Sequence, residues 1–301
     1  MSGAAKRSHE AQGALTICQR SKVEEIMRKA VFTLAAAVLI AAGFAGPSRA
    51  ANPPAPQTLI SLDFSKSADQ GMVQLDGSGS AMFTSSGRLE LTDGGGSETG
   101  VAFIKTPFPV SDYLASFDFQ VQPNPGDDNP ADAFLFIAQT AGLGYYGGGG
   151  GAAGYARTDT GALPDPSTMA GGGFPGYSYA VEFNMWRDQG LPTDAGGRYT
   201  VALDLNGVRS KIGITPFNFI DAGVLHADVR VTPAQLTMTL TKQGGTTPVF
   251  TFTSPSWLVN YFQAPKPLYF GFTASTGGAY CIADILNFKL QTGLPPPTAG
   301  Q

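Results

Sequence analysis

The sequence predicts an all-β fold, an antiparallel β-sandwich, and three observations carry that prediction. Short segments alternate apolar and polar residues, the period of strands with two unlike faces. Turn clusters separate them in a chain with 39 glycines and 22 prolines, which supply the tight connections that short strands need. No stretch carries a long amphipathic helical period. Regularly spaced strands with turn signals between them argue for a sandwich, and the length suits one large β domain as well as two small ones.

The chain opens with something other than this domain. Met27-Arg28-Lys29 precedes the apolar run AVFTLAAAVLIAAGFAG and then Pro47-Ser48-Arg49-Ala50. A positive start, an apolar centre and a small-x-small end make a secretory signal peptide, 27–50, cleaved after Ala50. The run stays short of the roughly 20 apolar residues of a spanning helix, so no membrane insertion is expected. Residues 1–26 are polar and mixed and do not suit a leader; they read as a non-native upstream extension with Met27 the true start. Residues 51–56 form a linker.

Strands are then expected at 58–64, 72–75, 81–85, 88–91 and 100–106. The next, 114–122, puts Phe117, Phe119 and Val121 on one face. The stretch 179–203 is read as strand, loop and strand, the second strand continuing to Asn206. Further strands are expected at 223–231, 235–241, 249–253, 268–274 and 282–290, with a helical turn within 255–262. The tail, 292–301, reads as flexible.

Composition excludes several functions. The chain carries 19 Lys and Arg against 23 Asp and Glu, a net charge of −4, and losing a basic leader makes it more acidic. That balance disfavours nucleic acid and anionic membranes. Cys18 and His9 precede the cleavage point, which leaves Cys281 and His226. No intrachain disulfide can form in the mature protein, and zinc sites or histidine-based nucleophiles have little to build on.

The stretch 179–203 holds the densest chemistry. Tyr179, Val181 and Phe183 alternate with Ala180, Glu182 and Asn184, and the loop beyond offers Asp188 and Asp194. Glu182, Asn184, Asp188 and Asp194 are all oxygen donors, the set a hard cation such as calcium takes. A polar hairpin with ordinary turn aspartates accounts for the same residues.

The same stretch resembles the metal-binding segment of the legume-type (L-type) lectins, VEFD-T-[FY]-x-N followed by D-P-x-x-x-H. Other segments resemble that family in the same order: ASFDFQVQ, GDDNPADAFLFIAQ, VLHADVRVTPAQLTMTL and LYFGFTASTGGAYCIADILNFKL. The resemblance covers 57–291. It implies a concanavalin A-like jelly roll of two large antiparallel sheets, in an exported bacterial member. It also implies roles. Glu182 matches the transition-metal ligand, Asn184 the Asp that bridges to calcium, and Trp186 the aromatic residue whose carbonyl binds calcium. Asp188 matches the Asn shared by calcium and sugar, and Asp194 the Asp shared by both metals. Tyr199 falls where the family's His stands, so the transition-metal site is expected to be lost; calcium alone, held through Asn184, the Trp186 carbonyl, Asp188 and Asp194, and an empty vestigial site are the two alternatives.

Asp132 matches the family's sugar-binding Asp, which follows a cis peptide bond after Ala131. A carboxylate there can accept hydrogen bonds from two hydroxyls of a neutral sugar; a solvated loop Asp is the plain alternative. Gly172, in the run 171–173, falls where the family offers a backbone N–H to sugar. Tyr145, Tyr146 and Tyr155 could stack on a pyranose face or pack locally. Glycoside hydrolases of this fold carry E-x-D-x-x-E on one strand; here Glu182 is the single carboxylate, and a pair such as Asp132 with Glu182 would have to stand roughly 5–10 Å apart. The reading is a secreted, periplasmic or cell-surface lectin-like protein that binds glycans non-covalently, with homo-oligomers compatible. A structural or adhesive module with a degenerate sugar site is the rival, and a hydrolase the least favoured.

Overall fold

A computed structural model describes residues 55–125, 129–156, 174, 176–186, 198–220, 222–259, 261–262 and 266–295. The expected leader, 27–50, and Gly172, Asp188 and Asp194 lie outside these residues. Strands dominate and pair antiparallel throughout.

The first sheet centres on β7 (Tyr113–Pro123). One edge of β7 pairs with β12 (Leu225–Val231), which continues to β13 (Leu236–Lys242) and β14 (Pro248–Thr253). Its other edge is shared. The first half pairs with β17 (Asn287–Thr292), which carries β1 (Gln57–Asp63). The second half pairs with β16 (Cys281–Ile285), followed by β4 (Leu89–Asp93) and β3 (Met82–Phe83). The single strand expected at 282–290 is therefore two, divided at Leu286, whose N–H donates to the Asp118 carbonyl (2.9 Å).

The second sheet runs β11 (Val208–Pro216), β10 (Thr200–Leu205), β9 (Ser178–Asn184), β8 (Ala133–Gln139), β15 (Lys266–Ser275), β5 (Thr99–Ile104) and β2 (Val73–Gly77). A short β6 (Phe108–Val110) also lies on β15. A four-residue helix, α1 (Ser67–Gln70), and short 3-10 turns at Gly150–Ala152 and Ser256–Leu258 complete the elements. Among the described residues no helix is long and apolar enough to cross a membrane.

Between the sheets lies a core rich in phenylalanine. Phe117 stacks on Phe136 at 5.2 Å between ring centroids, and Phe183 packs on Phe119 at 4.9 Å and on Phe134 at 5.2 Å. Such ring pairs add to the area they bury. The first sheet shows one face to solvent, and its strands alternate accordingly: Leu225, Ala227, Val229 and Val231 are buried while His226, Asp228 and Arg230 are less so. β8 and β9 are buried on both faces, because a second apolar layer covers the far side of their sheet. Ala153, Tyr155 and Phe174 pack there on Val101, Phe103, Leu135 and Ile137. Loop 142–156 supplies most of that cover, and it frames the site.

Candidate functional site

Three connections meet at one end of the second sheet, where Ala133 pairs with both Asn184 and Ser275. They are the approach to β8, the exit from β9 and the exit from β15. Asp132 sits at the junction. The Ala131–Asp132 peptide bond is cis. The Asp132 N–H donates to the Ser275 carbonyl (2.8 Å), and its own carbonyl accepts from the N–H groups of Met185 (2.9 Å) and Trp186 (3.2 Å). Its backbone is thus tied to both neighbouring strand ends, and the residue is only 7% exposed. Gly277 and Gly150 lie against its carboxylate: a Cβ on Gly277 would stand 3.1 Å from Asp132 Oδ2, and one on Gly150 3.8 Å away.

Above Asp132 opens a cleft of about 660 Å³ lined by Asn129, Ala131, Asp132, Trp186, Gly278, Ala279 and Tyr280. Its described lining offers one carboxylate, one amide, two aromatic side chains and small residues between them. Carboxylate and amide suit hydroxyl groups, and flat rings suit the apolar faces of a pyranose. The loop 276–280 was not foreseen as a wall of this cleft. Its signal was present in the paired glycines and the aromatic residue of TGGAY, just after a strand end.

Beside the cleft, Glu182 and Asn184 point from β9 into the layer under loop 142–156. Glu182 is fully buried. Arg209, on β11, is buried with it. Its Nε donates to Glu182 Oε2 (3.1 Å) and its Nη2 to Glu182 Oε1 and to Asn184 Oδ1 (3.1 Å). Its Nη1 donates to the carbonyl of Gly151. Asn184 in turn donates through Nδ2 to the Trp186 carbonyl (2.6 Å). Burial alone would raise the Glu182 carboxyl, but the adjacent Arg209 charge overrides it and holds the group below the usual carboxylate range. Asp204, across β10, goes the other way: burial, and then the charge of Glu182, push it well above its ordinary value. It accepts from the Lys211 N–H through Oδ1 (2.8 Å).

This arrangement tests the expected metal ligands. Both Glu182 oxygens and Asn184 Oδ1 face a guanidinium, and the Trp186 carbonyl faces an amide donor. A divalent cation needs those lone pairs turned toward it, so the described donors do not fit one. Among the described residues no group of three His, Cys, Asp or Glu side chains is placed to hold a metal ion. Tyr199 is no substitute for the family's His: it has φ 61°, and its ring packs edge-on against Phe219. Asp188, Asp194 and Gly172 lie outside the described residues.

Arg209 itself was missed, because no strand was expected over 208–216. The pointer was Asn206-Gly207, both at positive φ (54° and 70°), a two-residue hairpin turn joining β10 to β11. Of the loop tyrosines, Tyr155 is fully buried and hydrogen-bonds Ser178 (2.9 Å), so it takes the packing alternative. Tyr145 and Tyr146 pack, partly buried, against the same layer.

A second concavity, about 620 Å³, lies on the outer face of the first sheet, lined in part by Ser116, Asp118, His226, Asn287 and Lys289. His226 is held between Asp118 (2.6 Å) and Asp228 (3.3 Å), and those carboxylates push it up to about 10.

No family model and no curated protein sequence matches this chain. Solved structures do match. The basic winged bean lectin with Tn-antigen aligns with TM-score 0.59 at 23% identity, over 80% of this chain and all of that one. The lectin from Bauhinia forficata in complex with GalNAc aligns with TM-score 0.57 at 18% identity, over 78% of this chain and 98% of that one. The exoplasmic/lumenal domain of VIP36 aligns at 0.53 and 16% identity, over 79% of this chain and 90% of that one, in its Ca2+/Man2-bound form. Its metal-free form aligns at the same TM-score and identity. This chain therefore has the concanavalin A-like sandwich fold of the L-type lectins.

Proposed function

We propose that this chain is an exported, lectin-like protein that binds neutral glycans non-covalently at the cleft over Asp132. The observation that carries the reading is Asp132 itself: a buried carboxylate behind a cis peptide bond, fixed by three backbone hydrogen bonds, opening into a cleft with Trp186 and Tyr280 in its lining. In this reading Asp132 accepts from two sugar hydroxyls, a ring face lies on an aromatic wall, and Asp188 and Gly172 complete the contacts. The sugar-bound lectins of like fold support it. Export uses the leader 27–50, and the mature N-terminus is then Ala51, which intact-mass measurement of the exported protein checks.

The pair weighed for a hydrolase, Asp132 with Glu182, is disfavoured because Glu182 is buried and ion-paired to Arg209. A calcium-assisted version of the lectin reading keeps Asp188 and Asp194 as its ligands; stoichiometric calcium binding to the stripped protein with a rise in Tm supports that version. A structural or adhesive module predicts no glycan binding at all. The deciding experiment is a glycan array with the wild-type protein and Asp132→Ala. Binding by the wild type that is lost in a folded Asp132→Ala supports the reading; identical profiles, or none, refute it.

A further inference from the structure

We infer that Arg209 is a positioning residue standing where the resemblance places a metal, so that the cleft is assembled without any divalent cation. The inference rests on the glycan-binding reading and explains how that site is held in shape.

Arg209 supports Asp132 from two directions. One arm runs through β9. The guanidinium grips Glu182 and Asn184, and Asn184 donates to the Trp186 carbonyl. The N–H groups of Met185 and Trp186 then hold the Asp132 carbonyl. The other arm runs through loop 142–156. The guanidinium holds the Gly151 carbonyl, while Ser275 Oγ donates to the Gly150 carbonyl (2.6 Å) and Thr273 Oγ1 to that of Ala153 (2.9 Å). Those three donors pin the turn that places Gly150 beside Asp132 Oδ2. One buried side chain thus sets Trp186 on one side of Asp132 and Gly150 on the other.

The exchange suits the described donors: with Asn184 in place of the family's Asp, the Arg209 guanidinium meets one carboxylate, Glu182, and one amide oxygen. Carboxylate and amide oxygens accept from a guanidinium as readily as they ligate a metal, and the planar fork fits two or three of them at once. Unlike a metal, a guanidinium cannot be chelated away, and it does not titrate in the range where proteins fold.

The first test needs no variant. The whole protein, stripped with EDTA, is melted with and without millimolar Ca2+, Mn2+ or Zn2+. A bound ion at a hundredfold its Kd would raise Tm by about 5–10 °C; the expected result is no shift, and a rise with any of the three overturns the inference. The second test is Arg209→Ala, expected to lower Tm by about 6–20 °C and, at a temperature where it remains folded, to weaken glycan binding at least tenfold. Guanidinium ion at tens of millimolar should restore that affinity where sodium at equal ionic strength does not, and Arg209→Lys should stay weak. If Arg209→Ala does not fold, Arg209→Lys is read instead: affinity equal to wild type in either variant overturns the inference. A wild-type protein that binds no glycan sinks the carbohydrate reading, while the melts still decide whether the framework forms without a cation.

Discussion

Replacing Gly277 with alanine probes the contact between loop 276–280 and the Asp132 carboxylate. The new methyl would stand 3.1 Å from Asp132 Oδ2, with Asp132 Cγ and Gly150 Cα at 3.9 Å. The first distance is a few tenths of an ångström too short, so the carboxylate must give. Its backbone cannot move far, because hydrogen bonds to Ser275, Met185 and Trp186 hold it. The side chain must therefore turn, which re-aims the carboxylate that lines the cleft. A hydrogen bond to a charged acceptor contributes about 1.5–3 kcal/mol, so losing one should weaken glycan binding by about 10- to 150-fold. Stability should change little, with Tm falling by less than about 4 °C, since one loop contact is disturbed and no core volume changes. Titration calorimetry with a glycan selected on the array, beside a thermal melt, reads both quantities. Wild-type affinity in Gly277→Ala would refute the claim that glycan binding depends on the set of the Asp132 carboxylate.

Other perturbations test the surrounding chemistry. Asp204 has a folded pKa above its unfolded one, so its contribution is complete at low pH and is lost as pH rises past the ordinary carboxylate range. Asp204→Asn keeps the acceptor for Lys211 and escapes that loss, so it should be more stable than wild type at pH 7 and no more stable near pH 3; a less stable variant at pH 7 would show that Asp204 is ionised. His226, pushed up to about 10 by Asp118 and Asp228, contributes stability that is complete below about pH 6.5 and fades as pH approaches 10. His226→Gln should flatten the decline of Tm with pH across that window, and an unchanged slope would remove His226 as its cause. Cys281 is buried, and burial pushes its thiol up to about 12. Thiol reagents at pH 8 should modify it only in denaturant, and rapid modification of the native protein would contradict its burial.

How much of this could be read from the chain depended on what each strand faces. β7, β12 and β13 were legible because the first sheet turns one face to solvent and so alternates cleanly. β8 was not legible from its pattern. AFLFIAQ is buried on both sides and shows no alternation, and the family resemblance alone marked it. β11 escaped because its inward positions carry Arg209 and Lys211 rather than apolar residues, which inverts the usual signal; only the Asn206-Gly207 turn announced it. The cis bond before Asp132 was placed correctly through resemblance. For Glu182 and Asn184 the resemblance gave ligand roles, while in the structure their oxygens face Arg209, 27 and 25 residues away in sequence, and the Trp186 carbonyl faces Asn184 Nδ2. Motif spacing cannot show that kind of replacement; it appears only when two strands are brought side by side.

The most direct test of the account is a crystal structure of the protein with a glycan selected on the array, grown in the presence of EDTA. The account predicts sugar hydroxyls within hydrogen-bond distance of the Asp132 carboxylate, a ring face against Trp186 or Tyr280, and Arg209 still bound to Glu182 and Asn184. Sugar lodged elsewhere, such as in the concavity beside His226 and Lys289, or an Arg209 turned away from Glu182, would contradict it.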